Sequence, residues 1–185
     1  MSFGKTFPEA FAKAQIAAGN PIPVKGTVLV SLADSDKREG VALVSQLHDW
    51  GFTVFATQGT ARILEAMGIP AEVVQKVGQG RPDVVGLIAQ SKVDLVVNTP
   101  SSDKHSNQKP AHSSPDTTEQ RGLPLLMEGQ HTVGHCIRVA ALEHHIPYVT
   151  NLVTFRATVA AMRTLRSGQL PIHPLSDITS HSLKV

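Results

Sequence analysis

Short apolar runs alternate with stretches of helical period along most of this chain, and that alternation limits the fold more than any other feature. Gly26 to Ala33 (Gly-Thr-Val-Leu-Val-Ser-Leu-Ala) is almost continuously apolar, as expected of a strand covered on both faces. After Asp34-Ser35-Asp36, which is expected to cap the next helix, Val41, Val44, Leu47 and Trp50 recur at helical spacing until Gly51. Phe52 to Ala56 reads as the next strand, and Ala61 to Met67 as a helix closed by Gly68. A short strand at Ala71 to Val74, a helix at Pro82 to Gln90 and the strand Val93 to Val97 continue the pattern. Beyond an interruption, Val133 to Glu143 reads as a helix, Pro147 to Thr150 as a strand and Thr154 to Leu165 as the last helix. Strands this short, separated by helices, predict an α/β fold: a three-layer Rossmann-like sandwich around a five-stranded parallel sheet.

The chain of 185 residues, 41% of them apolar, has material for one sizeable core. Phe7 to Ala18 forms a helix with apolar positions Phe7, Phe11, Ala14 and Ala18, and the breaker Gly19-Asn20-Pro21-Ile22-Pro23 follows it. Residues 1–23 are therefore expected to be a connecting helix and linker, 24–166 the domain, 101–132 an insertion loop within it, and 167–185 a tail. The 17 basic and 15 acidic side chains are scattered and only 4% of residues are aromatic, which argues against a nucleic-acid interface. A single cysteine, Cys136, excludes an internal disulfide framework, and no apolar run approaches a membrane span. A soluble protein of the reducing cytoplasm is expected.

In parallel α/β sheets, ligands bind beyond the carboxyl ends of the strands, near the point where strand order reverses. The chain places its polar residues there. Val54-Phe55-Ala56-Thr57-Gln58-Gly59-Thr60-Ala61 runs from strand straight into helix, with the hydroxyls of Thr57 and Thr60 flanking Gly59. A helix start offers unpaired N–H groups and a positive dipole end, so this turn suits either a phosphate cradle or plain N-capping by Thr57 of the Thr60 N–H. Ser31, Asp34 and Lys37 follow the first strand, Lys76 the third and Asn98 and Thr99 the fourth, while Tyr148 and Thr150 belong to the fifth. Lysine is a point-charge partner for phosphate, hydroxyls donate to its oxygens, and an amide such as Asn98 can read a ribose or base edge. Together they describe a small phosphorylated ligand. Taken singly, Lys37 is also consistent with an exposed helix residue, Lys76 with a loop charge, and Asn98-Thr99-Pro100 with ordinary turn chemistry.

Ser31 to Lys37, the Gly51-Phe52 turn, Ala56-Thr57-x-Gly59-Thr60-Ala61, Val74-x-Lys76-Val77-x-x-Gly80-Arg81-Pro82 and Val97-Asn98-Thr99 follow one another in a recognisable order. That order resembles the carboxyl-terminal allosteric domain of the carbamoyl-phosphate synthase large subunit, which is similar in fold to methylglyoxal synthase. Phe7-Pro-Glu-Ala-Phe-x-Lys-Ala and Pro21-x-Pro23 resemble the connection into that domain. The resemblance implies a regulatory module that binds a nucleotide monophosphate, uridylate or inosinate, through Ser31, Lys37, Thr57, Gly59, Thr60, Lys76, Asn98 and Thr99. N-acetylglutamate uses the same crevice in some relatives. Tyr148 and Thr150 match this domain's share of an ornithine site. The resemblance further implies no catalysis and no cofactor in this domain. The parent would be a glutamine-hydrolysing, ATP-dependent ligase using ATP and Mg in its other domains, partnered by a glutaminase small subunit and serving pyrimidine and arginine biosynthesis.

The rival on the same fold is an independent methylglyoxal synthase acting on dihydroxyacetone phosphate, which needs a carboxylate base to take a proton beside the carbonyl. Against the pattern of that enzyme, Arg81 stands where its catalytic aspartate is expected and Asn98-Thr99-Pro100 replaces an aspartate-proline segment; Asp34, Asp36 and Asp83 are the acids left to approach the site. The segment from Ser101 to Thr132 is longer than the corresponding loop of the regulatory family, and its Ser, Pro, Asp and Gly content predicts a mobile surface loop. Downstream, Gly134-x-x-Ile137-Arg138 fits the family's arginine-bearing helix, although Val133 replaces the aspartate usual before that glycine. His131 and His135 are four apart, with Cys136, His144 and His145 nearby, a spacing that can pair imidazoles for a metal. Without a third ligand at a diagnostic spacing they read as surface or helix-packing side chains, and Trp50 as core.

Overall fold

A computed structural model describes residues 3–75, 83–99, 133–168 and 170. The elements run α1 (Phe7–Ala17), β1 (Thr27–Ser31), a 3₁₀ turn (Asp34–Asp36), α2 (Lys37–Asp49), β2 (Thr53–Thr57), α3 (Gln58–Ala66), β3 (Glu72–Val74), α4 (Val84–Ala89), β4 (Leu95–Asn98), α5 (Val133–Glu143), β5 (Tyr148–Val149) and α6 (Leu152–Arg166). The five strands form one sheet in the order β3-β2-β1-β4-β5, with every pairing parallel. The α/β architecture expected from the alternation is therefore the one observed.

Side-chain alternation along the strands divides the core between the two faces. Val28 and Val30 of β1, Val54 and Ala56 of β2, and Leu95 and Val97 of β4 join Leu47, Leu64, Phe155 and Met162 from α2, α3 and α6 on one face. Leu29 and Val96 face the other way, toward Val84, Leu87 and Ile88 of α4 and Ile137 and Ala141 of α5. A fully buried leucine such as Leu29 or Leu95 stabilises the fold by about 2 to 3 kcal/mol relative to exposure. Ala12 of α1 is fully buried in the first layer, where α1 packs on α6. Two side-chain bonds fix the start of α1: the N-cap Thr6 Oγ1 accepts the Glu9 N–H at 3.4 Å, and Glu9 Oε2 reaches back to accept the N–H of Lys5, just before the cap, at 3.0 Å.

Several boundaries differ from the sequence expectation, each for a local reason. The first strand ends at Ser31 rather than Ala33, because the Leu32 and Ala33 N–H groups leave the ladder to meet threonine hydroxyls. Asp34-Ser35-Asp36 does not cap α2 through a side chain; it forms the 3₁₀ turn, and Asp36 makes no cap hydrogen bond. The last helix begins a turn's half earlier than Thr154, at Leu152, because Asn151 Oδ1 accepts the Thr154 N–H at 2.8 Å. Trp50 lies only partly buried, packed on the rim of the core with the Arg166 guanidinium 5.5 Å from its ring centroid. Among the described residues, no helix is long and apolar enough to cross a membrane.

Candidate functional site

The strand order reverses at β1. The chain moves outward through β2 and β3 and then returns to place β4 on the other side of β1. At the carboxyl end of that pair, Ser31 and Asn98 are register partners, so the crevice opens between two residues already singled out by sequence. Thr99 follows immediately, and its N–H donates to the Ser31 carbonyl at 2.9 Å.

On the β2 side, α3 begins directly at the end of the strand with Thr57 as N-cap, yet the Thr57 side chain makes no cap hydrogen bond to that helix. The capping alternative for this turn is not the arrangement found. Thr57 Oγ1 instead donates to Ser31 Oγ at 3.3 Å and lies 3.4 Å from Thr60 Oγ1. Thr60 is 1% exposed, and its hydroxyl oxygen accepts the Leu32 N–H at 3.0 Å. Thr99 Oγ1 does the same for the Ala33 N–H at 2.9 Å. Two of the candidate ligand hydroxyls thus hold the loop after β1 in place, where otherwise two buried N–H groups would lack partners.

Lys37 opens α2 and extends toward the first turn of α3. Its Nζ lies 3.4 Å from where a Cβ on Gly59 would stand, so the ammonium sits over the uncapped helix start with only a glycine beneath it. Asp34 Oδ1 pairs with the same ammonium at 2.5 Å; that carboxylate is 91% exposed, whereas Lys37 is mostly covered. The i, i+3 relation of Asp34 and Lys37 was the available sequence signal for this pair. A cation and unpaired helix N–H groups converging on one spot can bind an oxyanion.

The β4 side carries the second group. Asn98, 7% exposed, donates from Nδ2 to Tyr148 Oη at 2.9 Å, and a Cβ on Gly134 would come within 3.1 Å of the same Nδ2. Gly134 therefore lets α5 start close against the amide. Arg138, one turn along, places its guanidinium carbon 6.0 Å from the Tyr148 ring centroid. Thr150 is half-buried, and its hydroxyl accepts from Asn151 Nδ2 at 3.4 Å. Asn98 thus links the nucleotide and ornithine sets expected from sequence. The role of the Asn98–Tyr148 bond in joining them left no sign in the spacing.

Ser31, Lys37, Thr57, Gly59, Thr60, Asn98, Thr99 and Tyr148 are brought to one end of the sheet. Lys76, Arg81, His131 and the expected loop at 101–132 lie outside the described residues. Of the acids weighed as a base, Asp83 Oδ1 caps α4 through the Gly86 N–H at 2.7 Å, Asp36 accepts from Ser35 Oγ at 3.1 Å, and Asp34 stands on Lys37. A shallow depression of about 370 Å³ lies at the opposite end of the sheet, lined by His48, Phe52, Thr53, Pro70 and Glu72, and contains none of this cluster.

Residues 39–127 match the family model of the MGS-like domain. The chain carries an MGS-like domain. Over 170 residues, 92% of this chain, it is 47% identical to the carbamoyl phosphate synthase large chain of Thermotoga petrophila. It is 34% identical over 178 residues to the carbamoyl phosphate synthase large chain, C-terminal section, of Methanopyrus kandleri, which covers 96% of this chain. The MGS-like chain spans 15% of the length of the first relative and 28% of the second. A methylglyoxal synthase from Elizabethkingia anophelis superposes with a TM-score of 0.47 at 17% identity, over 75% of this chain and 79% of that one.

Proposed function

We propose that this MGS-like domain is the effector-binding regulatory module of a carbamoyl phosphate synthase large chain, taking a nucleotide monophosphate at the carboxyl ends of its strands. The observation that carries the reading is the Lys37 ammonium poised over Gly59 at the uncapped start of α3. The phosphate would sit beside the ammonium at the first N–H groups of α3, with Ser31 donating from β1 and Asn98 oriented by Tyr148 toward the sugar or base. In this reading the physiological partners are the remaining domains of the large chain and a glutaminase small subunit. A nucleotide favouring one arrangement of the assembly shifts its equilibrium by the difference in affinity, typically ~1 to 3 kcal/mol.

Calorimetric titration of the chain with uridylate, inosinate and N-acetylglutamate tests the reading. Binding of at least one nucleotide is expected, and silence with all three would sink it. Release of methylglyoxal from dihydroxyacetone phosphate would replace regulation with catalysis as the function of the crevice.

A further inference from the structure

We infer that the buried threonine hydroxyls fix the direction of the Ser31 proton, so that the crevice selects the fully ionised form of a phosphate ligand; this rests on the phosphate-site reading above. The Leu32 N–H donates to Thr60 Oγ1 at 3.0 Å. Thr60 Oγ1 and Thr57 Oγ1 are 3.4 Å apart, and Thr57 donates onward to Ser31 Oγ at 3.3 Å. Each hydroxyl has a single proton. Because the Thr57 proton goes to Ser31, the bond between the two threonines is donated by Thr60. The chain therefore runs one way, from a main-chain N–H that cannot reverse, through Thr60 and Thr57, to Ser31. The Ser31 proton is left for an acceptor in the crevice. Thr60 and Thr57 are 1% and 5% exposed, which keeps water from reordering the sequence.

Among the described residues, the β1, α2 and α3 side of the crevice thus offers the Ser31 O–H, the Lys37 ammonium and the first N–H groups of α3, all of them donors. A phosphate dianion can accept at every free oxygen. Its monoanion carries a P–OH, and a donor set against a donor loses a hydrogen bond on both sides. The second ionisation of a phosphate monoester falls near pH ~6, so affinity should rise with pH through that value. Among the described residues, the other charged groups around the site are Asp34, paired with Lys37, His135 in the first turn of α5, and Arg138 over Tyr148. Protonating Asp34 releases the Lys37 ammonium and protonating His135 adds positive charge. Both strengthen anion binding at low pH, the opposite sign.

Calorimetry with uridine 5′-monophosphate and inosine 5′-monophosphate at a pH one unit below the phosphate ionisation and at another well above it separates the cases. The intact chain should bind roughly tenfold more weakly at the lower pH, the fraction of dianion there being about one tenth. Thr57→Val, which cuts the relay while keeping the shape of the side chain, should shrink that ratio to below about threefold. Ser31→Ala, at a half-buried position, should do the same by removing the terminal donor, and Thr57→Ser should keep the original ratio. A Thr57→Val protein that retains the tenfold ratio, or an intact chain with equal affinity at both pH values, overturns the relay and leaves the phosphate site standing. No binding by the intact chain at either pH overturns the phosphate-site reading and the relay with it.

Discussion

The two ends of the sheet use similar polar residues to different effect. At the amino ends, Asp94 Oδ2 accepts the Thr27 N–H at 2.7 Å, the Asp94 N–H donates to the Thr27 carbonyl at 2.8 Å, and the Thr53 N–H reaches the Gly26 carbonyl at 3.0 Å. Arg166 closes this end by donating to the Val24 carbonyl at 2.7 Å while stacking on Trp50. These bonds clasp one strand to the next. At the carboxyl ends, Thr60 and Thr99 perform a comparable clasp on Leu32 and Ala33, but the start of α3 has no side-chain cap and the Lys37 ammonium lies beside it. Polar character alone therefore does not mark a site. In the proposed reading, what distinguishes the carboxyl end is hydrogen-bonding capacity that the fold does not consume.

The sharpest way to break the amino-end clasp is Gly26→Ala. Gly26 has φ +122°, and an added Cβ would run into the Asp94 carboxylate, so strain and a lost hydrogen bond act together. We predict a loss of about 3 kcal/mol in urea unfolding, with nucleotide affinity of the folded protein retained. An unchanged unfolding midpoint would mean that the clasp is not structural. At the carboxyl end the expected separation is reversed. Lys37→Ala should weaken nucleotide binding by about 1.5 to 3 kcal/mol, the worth of a charge-assisted hydrogen bond. Its partner Asp34 is exposed, so stability should change by less than ~1 kcal/mol. Calorimetry and unfolding on the same variant decide whether Lys37 serves the ligand or the fold.

Thr60→Val tests the boundary between the two roles. It removes the acceptor of the Leu32 N–H and should cost about 1 to 3 kcal/mol of stability along with affinity, whereas Thr99→Val should cost a comparable amount through Ala33. Stability loss without any change in affinity would confine Thr60 to the clasp. The smallest effect is expected away from both ends. Ser91, just past α4, has φ +53°, and His145, just past α5, has φ +54°, conformations that glycine adopts without cost. Ser91→Gly should raise stability by about 0.5 to 1 kcal/mol in the same unfolding assay.

The layered fold was legible because its strands are apolar runs and because Gly51 and Gly68, both at positive φ, end α2 and α3 where sequence placed those stops. The order of the strands left no comparable mark, since parallel pairing depends on crossovers rather than on neighbouring residues. The cluster at the strand ends was legible as a set of residue types. The partition within it was not. Whether Thr60 faces a ligand or the Leu32 N–H is set by a contact 28 residues away in sequence, and the Asn98–Tyr148 bond spans 50. Asp34-Ser35-Asp36 looked like a cap because it has capping residue types, but the 3₁₀ turn aims Asp34 at Lys37 instead.

Gly59 carries a consequence for how this domain can change. It lies in the first turn of α3 on the exposed side, where alanine would make the helix more stable by about 0.5 to 1 kcal/mol. Its added methyl would meet Lys37 Nζ at 3.4 Å, an ordinary contact, so the fold would accept it. In the proposed reading, that methyl would crowd an anion approaching the ammonium and the start of α3. If the crevice senses an anion as proposed, stability and sensing pull this position in opposite directions, and one methyl group would exchange a responsive domain for a sturdier, silent one.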